Sequence, residues 1–229
     1  MAGSTPIDDD QEPGEYASPP CFMHELDPAY FGLAPAPPVE PWPVVAAWRK
    51  AERKRLIGER LALERDLRAE HSRRIAERLA ALIGDPAGRV ISAYWPFRGE
   101  PDLRGWFRDL GARGVRTALP VVVAMGTPLV FRLWKPGERL VHGVWNIPEP
   151  AEGEDVTPDI VIAPVVGFDR GCYRLGYGGG FYDRTLGRLP ASTHAIGVGF
   201  LQAAMETIRP QSFDVPMRHI VTENCVRTR

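Results

Sequence analysis

The sequence predicts an α/β protein, with a mainly parallel sheet flanked by helices in a Rossmann-like three-layer arrangement and a helical segment on its N-terminal side. Three observations predict it. Short apolar runs rich in β-branched residues alternate with helical stretches from residue 89 onwards, the mark of βαβ units. One of these runs, Ile160–Val166, is nearly continuous, which suits a strand buried on both faces. It leads into a loop holding Gly171, Gly176, Gly178, Gly179 and Gly180, and then into residues able to form a helix, Phe181–Leu189.

The elements follow in chain order. Residues 1–43 hold ten of the 23 prolines and eight acids but no Lys or Arg, and should form an extension without a core of its own. Within it, residues 1–18 should be mobile, whereas Phe22, Met23, Leu26, Tyr30 and Phe31 are too apolar for a plain linker and should dock on the body. Cys21 and His24 have no further ligands beside them and read as packing residues. Residues 44–229 should be the α/β domain. A long helix is predicted from Pro43 or Val44 to Ile83. Leu56, Leu61, Leu63, Leu67, Ile75, Leu79 and Leu82 lie near helical spacing, and Gly84-Asp85-Pro86 ends it.

Eleven basic residues fall in that helix, and most read as a solvated face laced with Glu–Arg pairs. Arg49 and Arg53 stand apart, because their i, i+4 spacing near the helix start puts them on one face. Strands are expected at Arg89–Trp95, Val115–Val123, Val130–Trp134, His194–Phe200 and Ile220–Val226, with helices at Leu103–Leu110 and around Gln202–Ile208 and a loop at Gly143–Pro150. Ligands of such sheets sit at the carboxyl ends of the strands, where Trp95–Glu100 and the glycine loop both lie.

Composition narrows the function classes. Three scattered cysteines with no C-x-x-C pair suggest neither a disulfide framework nor a zinc site. The acidic run Asp8-Asp9-Asp10 is not the basic start of a signal peptide, and no apolar run approaches the ~20 residues of a membrane span. A cytoplasmic setting without a membrane partner is therefore expected. The net charge of −1 hides an asymmetry, since beyond residue 43 the chain carries 28 basic and 21 acidic residues. A basic body suits an anionic ligand. Nucleic acid is disfavoured, because aromatics are not interleaved with the helix arginines and the pI is ≈ 6.5.

Strand, glycine loop and helix together aim backbone N–H groups at a phosphate. Two familiar phosphate motifs fail here. Gly171–Gly176 has Walker A spacing, but Tyr177-Gly178 stands where Lys-Ser/Thr belongs, and the G-x-G-x-x-G pattern breaks at Phe181. Arg174 nevertheless supplies a permanent fork of donors. Asp183 can hold Mg²⁺, which usually takes one or two carboxylates plus phosphates and waters. A bland turn would not need five glycines around an arginine and two aromatics.

Gly167-Phe168-Asp169 followed by Tyr173-Arg174-Leu175-Gly176-Tyr177-Gly178-Gly179-Gly180-Phe181-Tyr182-Asp183-Arg184 resembles the signature of the 5-formyltetrahydrofolate cyclo-ligase (methenyltetrahydrofolate synthetase) family. The resemblance runs from about Arg49 to Glu223. It implies ATP-dependent closure of 5-formyltetrahydrofolate, with or without a polyglutamate tail, to 5,10-methenyltetrahydrofolate, with ADP and phosphate released. It also implies site residues. Arg49, Lys50, Arg53, Arg174 and Gly176, Tyr177, Gly178, Gly179 and Gly180 would hold ATP. Trp95, Glu100, Trp145, Phe181 and Tyr182 would hold the folate, with Glu100, Arg174 and Tyr182 catalytic. Asp183 and Asp214 would hold Mg²⁺.

Four residues depart from the family pattern. Arg49 replaces a Lys, Glu52 replaces a Leu, Val121 stands where an Arg commonly follows Pro120, and Phe213 replaces a His. The competing expectation is a paralogue with the same fold and nucleotide loop but a different or no catalytic role, for example one linked to thiamine metabolism.

Overall fold

The structure is a computed structural model and describes residues 40–229. The expectations for residues 1–39, including the docking of Phe22–Phe31 and the role of Cys21 and His24, fall outside the described residues. Residues 41–229 form one compact unit.

The chain opens with α1 (Trp42–Ala62) and α2 (Arg65–Ile83) in place of the single long helix expected. Leu63 takes extended backbone, φ −61° and ψ 132°, and so does Glu64, the N-cap of α2. No Gly or Pro announces this break, since extended backbone is open to any residue. The break sends the helices to different places. Ile75, Leu79 and Ile83 of α2 pack on the cluster containing Ile91, Ile160 and Ile162, whereas Leu56 of α1 packs with Val165, Phe168 and Leu175. Gly84 closes α2 at φ +66°, a conformation that favours glycine.

The remaining elements alternate as the sequence predicts, with shorter bounds. They are β1 (Val90–Ser92), α3 (Arg104–Ala112), β2 (Arg116–Val121), β3 (Val130–Leu133), β4 (Leu140–His142), β5 (Pro148–Pro150), β6 (Asp155–Val156), β7 (Ile160–Pro164), β8 (Gly167–Phe168), β9 (Arg174–Leu175), α4 (Phe181–Leu186), β10 (His194–Val198), β11 (His219–Val221) and β12 (Val226–Thr228). The loop expected at 143–150 instead contains a 3-10 turn, Val144–Asn146, followed by β5, which pairs with β4. The helix expected around 202–208 is a 3-10 turn at Leu201–Ala203. The last expected strand is two strands, β11 and β12, joined antiparallel.

Eight strands form the main sheet in the order β12-β11-β10-β7-β1-β2-β3-β6. The five from β11 to β2 run parallel, with antiparallel partners at both edges. Both sheet faces are covered, as a parallel sheet requires. Alternate residues divide accordingly. Ile91, Ile160 and Ile162 face α2 and α3, while Val90, Ala118 and Val161 face Tyr182 and Leu186 of α4.

Candidate active site

A cavity of about 890 Å³ opens at the carboxyl ends of β7, β1 and β2. Three segments after these strands build its wall. These are Tyr94–Glu100 after β1, Val122 after β2, and the stretch from Arg174 through the glycine loop into α4 after β7. Arg49 and Arg53 of α1, Trp145 and Glu149 of the 144–149 segment, and Asp214 complete it. Every site residue expected from the sequence lines this cavity except Lys50, which is exposed on α1 and absent from the wall.

Glu100 is built by a tight turn. Arg98 (φ 47°) and Gly99 (φ +75°) are consecutive left-handed residues, and the Glu100 N–H donates to the Phe97 carbonyl at 3.2 Å. The turn folds the carboxylate back, so Glu100 Oε2 accepts from the Phe97 N–H at 2.8 Å and Oε1 from the Tyr177 hydroxyl at 2.9 Å. The residue is 4% exposed. Burial pushes its pKa up to about 7, against the opposing pull of Arg60 and the two hydrogen bonds.

The glycine loop is shaped by its arginines. Gly178 (φ +99°) sits so close to Arg53 that an added Cβ would lie 3.3 Å from the guanidinium carbon. Arg53 Nε donates to the Gly176 carbonyl at 2.6 Å, and its two terminal nitrogens bond no protein group among the described residues. Burial, and after it the neighbouring charge of Arg49, lowers the Arg53 pKa, so an anion there would meet an underneutralised cation. Gly180 (φ +65°) caps α4, where a side chain would collide with Arg184. That helix spans six residues, Phe181–Leu186, shorter than the Phe181–Leu189 expected.

Arg49 and Arg174 are more committed than the sequence implies. Arg49, 4% exposed, grips Asp214 with Nη1 at 3.1 Å and Nη2 at 2.5 Å. It also donates to the Ile208 carbonyl at 3.0 Å and the Arg209 carbonyl at 2.8 Å. Arg174, also 4% exposed, pairs with Asp183 Oδ1 at 3.0 Å and donates to the Val215 carbonyl at 3.0 Å. The Arg174 guanidinium lies over the Tyr182 ring, 5.6 Å from its centroid. Burial lowers the Arg174 pKa, and Asp183 opposes that most.

The carboxylates differ in what they can still accept. Asp214 spends both oxygens on Arg49, and Oδ2 also accepts from the Gln211 N–H at 2.6 Å, so a cation there would have to displace Arg49. Asp183 Oδ1 takes Arg174 and the Val215 N–H, which leaves Oδ2 without a protein partner among the described residues. Among the described residues no three His, Cys, Asp or Glu side chains cluster as a metal site.

Trp145 stands half-exposed at the cavity, 50% accessible, with its ring edge-on to Phe181 at 5.7 Å. Its φ of 57° is left-handed, costly for a bulky residue, with Asn146 (φ 60°) beside it. Two residues escape sequence reading, Glu149 on the wall and Arg60 outside it. Glu149 is read as part of a loop, yet its carboxylate lies where a Cβ on Gly143 would fall. Arg60 is read with the solvated face, yet it is buried. Val45, Arg49, Leu56 and Arg60 are the buried residues of α1, and their 4-7-4 spacing is the signal that would have found it.

The departures from the family pattern have distinct settings. Arg49 uses a planar fork that Lys lacks, Phe213 packs edge-on to Trp42 at 5.2 Å, Glu52 pairs with Arg55 at 2.6 Å on the surface, and Val121 is buried in β2. On the basic face of α1 and α2, Arg55 pairs with Glu52 and Glu59, and Arg73 pairs with Glu70 and Glu77.

A parallel sheet, a ligand-sized cavity at its carboxyl edge, a buried carboxylate poised near neutrality and an arginine-backed glycine loop define an α/β enzyme acting on a small anionic substrate. Residues 45–223 match the 5-formyltetrahydrofolate cyclo-ligase family, and the chain belongs to it. The chain is 30% identical over 174 residues to the 5-formyltetrahydrofolate cyclo-ligase of Escherichia coli, covering 73% of this chain and 96% of that one. It is 32% identical over 145 residues to that of Mycolicibacterium smegmatis, covering 59% and 74%. The solved structure of Aquifex aeolicus 5,10-methenyltetrahydrofolate synthetase superposes with a TM-score of 0.69 at 29% identity, over 79% of this chain and 92% of that one. Enzymes of the family are ligases of folate metabolism that use ATP as co-substrate. No helix among the described residues is long and apolar enough to cross a membrane.

Proposed function

We propose that this cavity closes 5-formyltetrahydrofolate to 5,10-methenyltetrahydrofolate with consumption of ATP. The observation that carries the reading is the juxtaposition, in one cavity, of the family's glycine loop and a buried glutamate with a pKa near 7. The formamide oxygen is a poor leaving group. Transfer of the γ-phosphoryl group to it makes an iminium phosphate, N10 attacks the formyl carbon and loses its proton, and phosphate departs with the former formyl oxygen. Glu100, half-ionised near neutral pH, can take that proton.

Phosphoryl transfer asks mainly for positioning and charge neutralisation. Arg53, with both terminal nitrogens open, is the wall cation best placed to meet phosphate directly, alongside the amides of Gly176–Gly180. Arg49 and Arg174 act behind it, as anchors of Asp214 and Asp183. Asp183 fits Mg²⁺ through its open oxygen, as one carboxylate beside phosphates and waters, and the ion would supply neutralisation of phosphate charge. Asp214, held by Arg49, does not fit that role in this geometry. Trp145 and Phe181 offer an aromatic corner for the pterin or benzoyl ring, and Trp95, Tyr182 and Glu100 continue the folate wall. The free thiols Cys172 and Cys225 suit a reducing, cytoplasmic setting.

The test is direct. Purified protein with 5-formyltetrahydrofolate, ATP and Mg²⁺ should generate methenyl absorbance that depends on ATP, with ADP and phosphate formed in equal amounts. No ATP-dependent product at saturating substrate would refute the reading.

A further inference from the structure

We propose that Arg60 is a positioning residue for Glu100, acting through the Tyr177 hydroxyl to hold the carboxylate so that its remaining lone pairs face the cavity. The consequence for turnover rests on the cyclo-ligase reading. The arrangement itself rests on geometry.

A guanidinium can only donate. Arg60 Nη2 lies 2.6 Å from the Tyr177 oxygen, so that oxygen accepts, and the single hydroxyl proton must point elsewhere. Two acceptors are in reach, Glu100 Oε1 at 2.9 Å and the Phe97 carbonyl at 3.4 Å. The shorter contact, to the group that can carry charge, takes the proton. Burial raises the Tyr177 pKa well above its ordinary value, so the hydroxyl stays protonated and the relay keeps one direction. Glu100 Oε2 is meanwhile engaged by the Phe97 N–H. Each carboxylate oxygen therefore has one acceptor position filled from the protein side, and a proton taken up by Glu100 must sit on a position still open. Glu100 lies on the cavity wall, so those positions face substrate.

Arg60 holds both ends of this device. Its Nε donates at 3.0 Å to the carbonyl of Arg98, in the turn that carries Glu100, and Nη1 reaches the Val165 carbonyl beyond β7 at 3.4 Å. Tyr94 from the segment after β1, Tyr177 from the loop and Tyr182 from α4 are the other titratable groups around Glu100, and Asp102 acts on Tyr94 in turn. Among the described residues, Arg60 is the cation that acts on it, and its charge and the Tyr177 bond both favour the ionised form.

A buried arginine bonded to two carbonyls is also a brace, so the test needs a readout that bracing does not move. Carbon-13 NMR titration of glutamate carboxyls in the free protein, with Glu100 assigned by Glu100→Gln, supplies one. Tyr177→Phe keeps both backbone bonds of Arg60 and removes only the relay. It should raise the Glu100 midpoint by about one pH unit. Arg60→Gln should raise it as well, through its charge and through Tyr177, and the double variant should shift it by less than the sum, because the part that runs through Tyr177 is shared. The acidic limb of the kcat/KM profile should move upward in parallel. A Glu100 midpoint in Tyr177→Phe within about 0.2 of the wild type overturns the proposal, whatever happens to stability. If Arg60→Gln fails to fold, Tyr177→Phe decides alone. Absence of methenyl product from the wild type would instead refute the cyclo-ligase reading, with the carboxyl titration still judging the relay.

Discussion

Replacing Arg49 by Lys keeps the charge and removes the fork. Arg49 donates to Asp214 through two nitrogens and to the carbonyls of Ile208 and Arg209, tying α1 to the segment before β11 from a buried position. A lysine ammonium is one point at the end of a flexible stem, and it can satisfy the carboxylate or the carbonyls but not both. Roughly two buried bonds are lost, one involving a charged partner. At about 1 kcal/mol for a neutral bond and 1.5–3 kcal/mol for a charged one, the cost is about 2–4 kcal/mol. A domain of this size shifts by roughly 2–4 °C per kcal/mol, so the ligand-free melting temperature should fall by about 5–15 °C. Calorimetry without and with ATP measures this. Asp214→Asn should be coupled to Arg49→Lys in a double-mutant cycle, since each removes the same contact. If Arg49 served only as a phosphate clamp, the lysine variant would melt with the wild type in the absence of ATP and lose only nucleotide affinity. A ligand-free melting temperature within 1 °C of the wild type would refute the bracing role.

Three further outcomes are expected. Arg174→Ala leaves Asp183 and the Val215 carbonyl without their buried partner, so stability should drop by about 3–5 kcal/mol and the Mg²⁺ requirement should rise, both readable from melting curves and Mg²⁺ titrations of turnover. Glu100 has a folded pKa of about 7, above the carboxylate value of the unfolded chain, so between about pH 4.5 and 7 the native state binds the extra proton and wild-type stability falls as pH rises. In Glu100→Gln this contribution to the slope should vanish, which denaturant titrations at pH 5 and pH 8 will detect. Trp145→Gly relieves a left-handed tryptophan worth about 1 kcal/mol or more of strain, so the melting temperature should hold or rise while KM for the folate increases; a lowered melting temperature with unchanged KM would count against a substrate-facing role.

Most of the site was legible in the sequence because its signature loop is local. The chemistry of Arg174–Arg184 and the turn at Arg98-Gly99-Glu100 lie within short windows, and their glycines mark backbone conformations that few other residues adopt. What escaped depends on distant partners. The break at Leu63–Glu64 carries no helix stop signal, because the two halves are separated by the faces they pack against. Arg60 looked solvated because a helix rich in Arg and Glu reads that way, and its burial comes from carbonyls 38 and 105 residues away. Asp169, quoted only as part of the signature, accepts from the Gly171, Tyr173 and Ile208 N–H groups and so folds the loop that precedes Arg174. Nothing near Asp214 in sequence reveals that Arg49 holds it from 165 residues away.

The pairing of these charges bears on how a nucleotide can be bound and released. A cavity wall of unpaired arginines would hold a triphosphate and its diphosphate product alike, and tight uniform binding does not accelerate chemistry. Here Arg49 and Arg174 face aspartates, and Arg60 faces Tyr177. Arg53 keeps its terminal nitrogens open beside Gly178. Arg53 thus directs charge at the ligand beside the loop glycines, while Arg60 holds the Glu100 turn, Arg174 holds α4 at Asp183, and Arg49 holds the segment around Asp214. Fixed dipoles and an open guanidinium need little reorganisation when charge shifts from γ-phosphate to formyl oxygen, the condition under which electrostatic stabilisation is strongest. Arg53→Ala should accordingly weaken turnover by about tenfold or more with little effect on melting temperature, since one charged contact to phosphate is worth roughly 1.5–3 kcal/mol. Among the described residues Arg53 donates one bond, to the Gly176 carbonyl, so its loss leaves no described buried charge unpaired. Steady-state kinetics in ATP beside melting curves separates the two effects, and a variant that melts early yet keeps wild-type kcat/KM for ATP would reverse the roles assigned to Arg53 and Arg49.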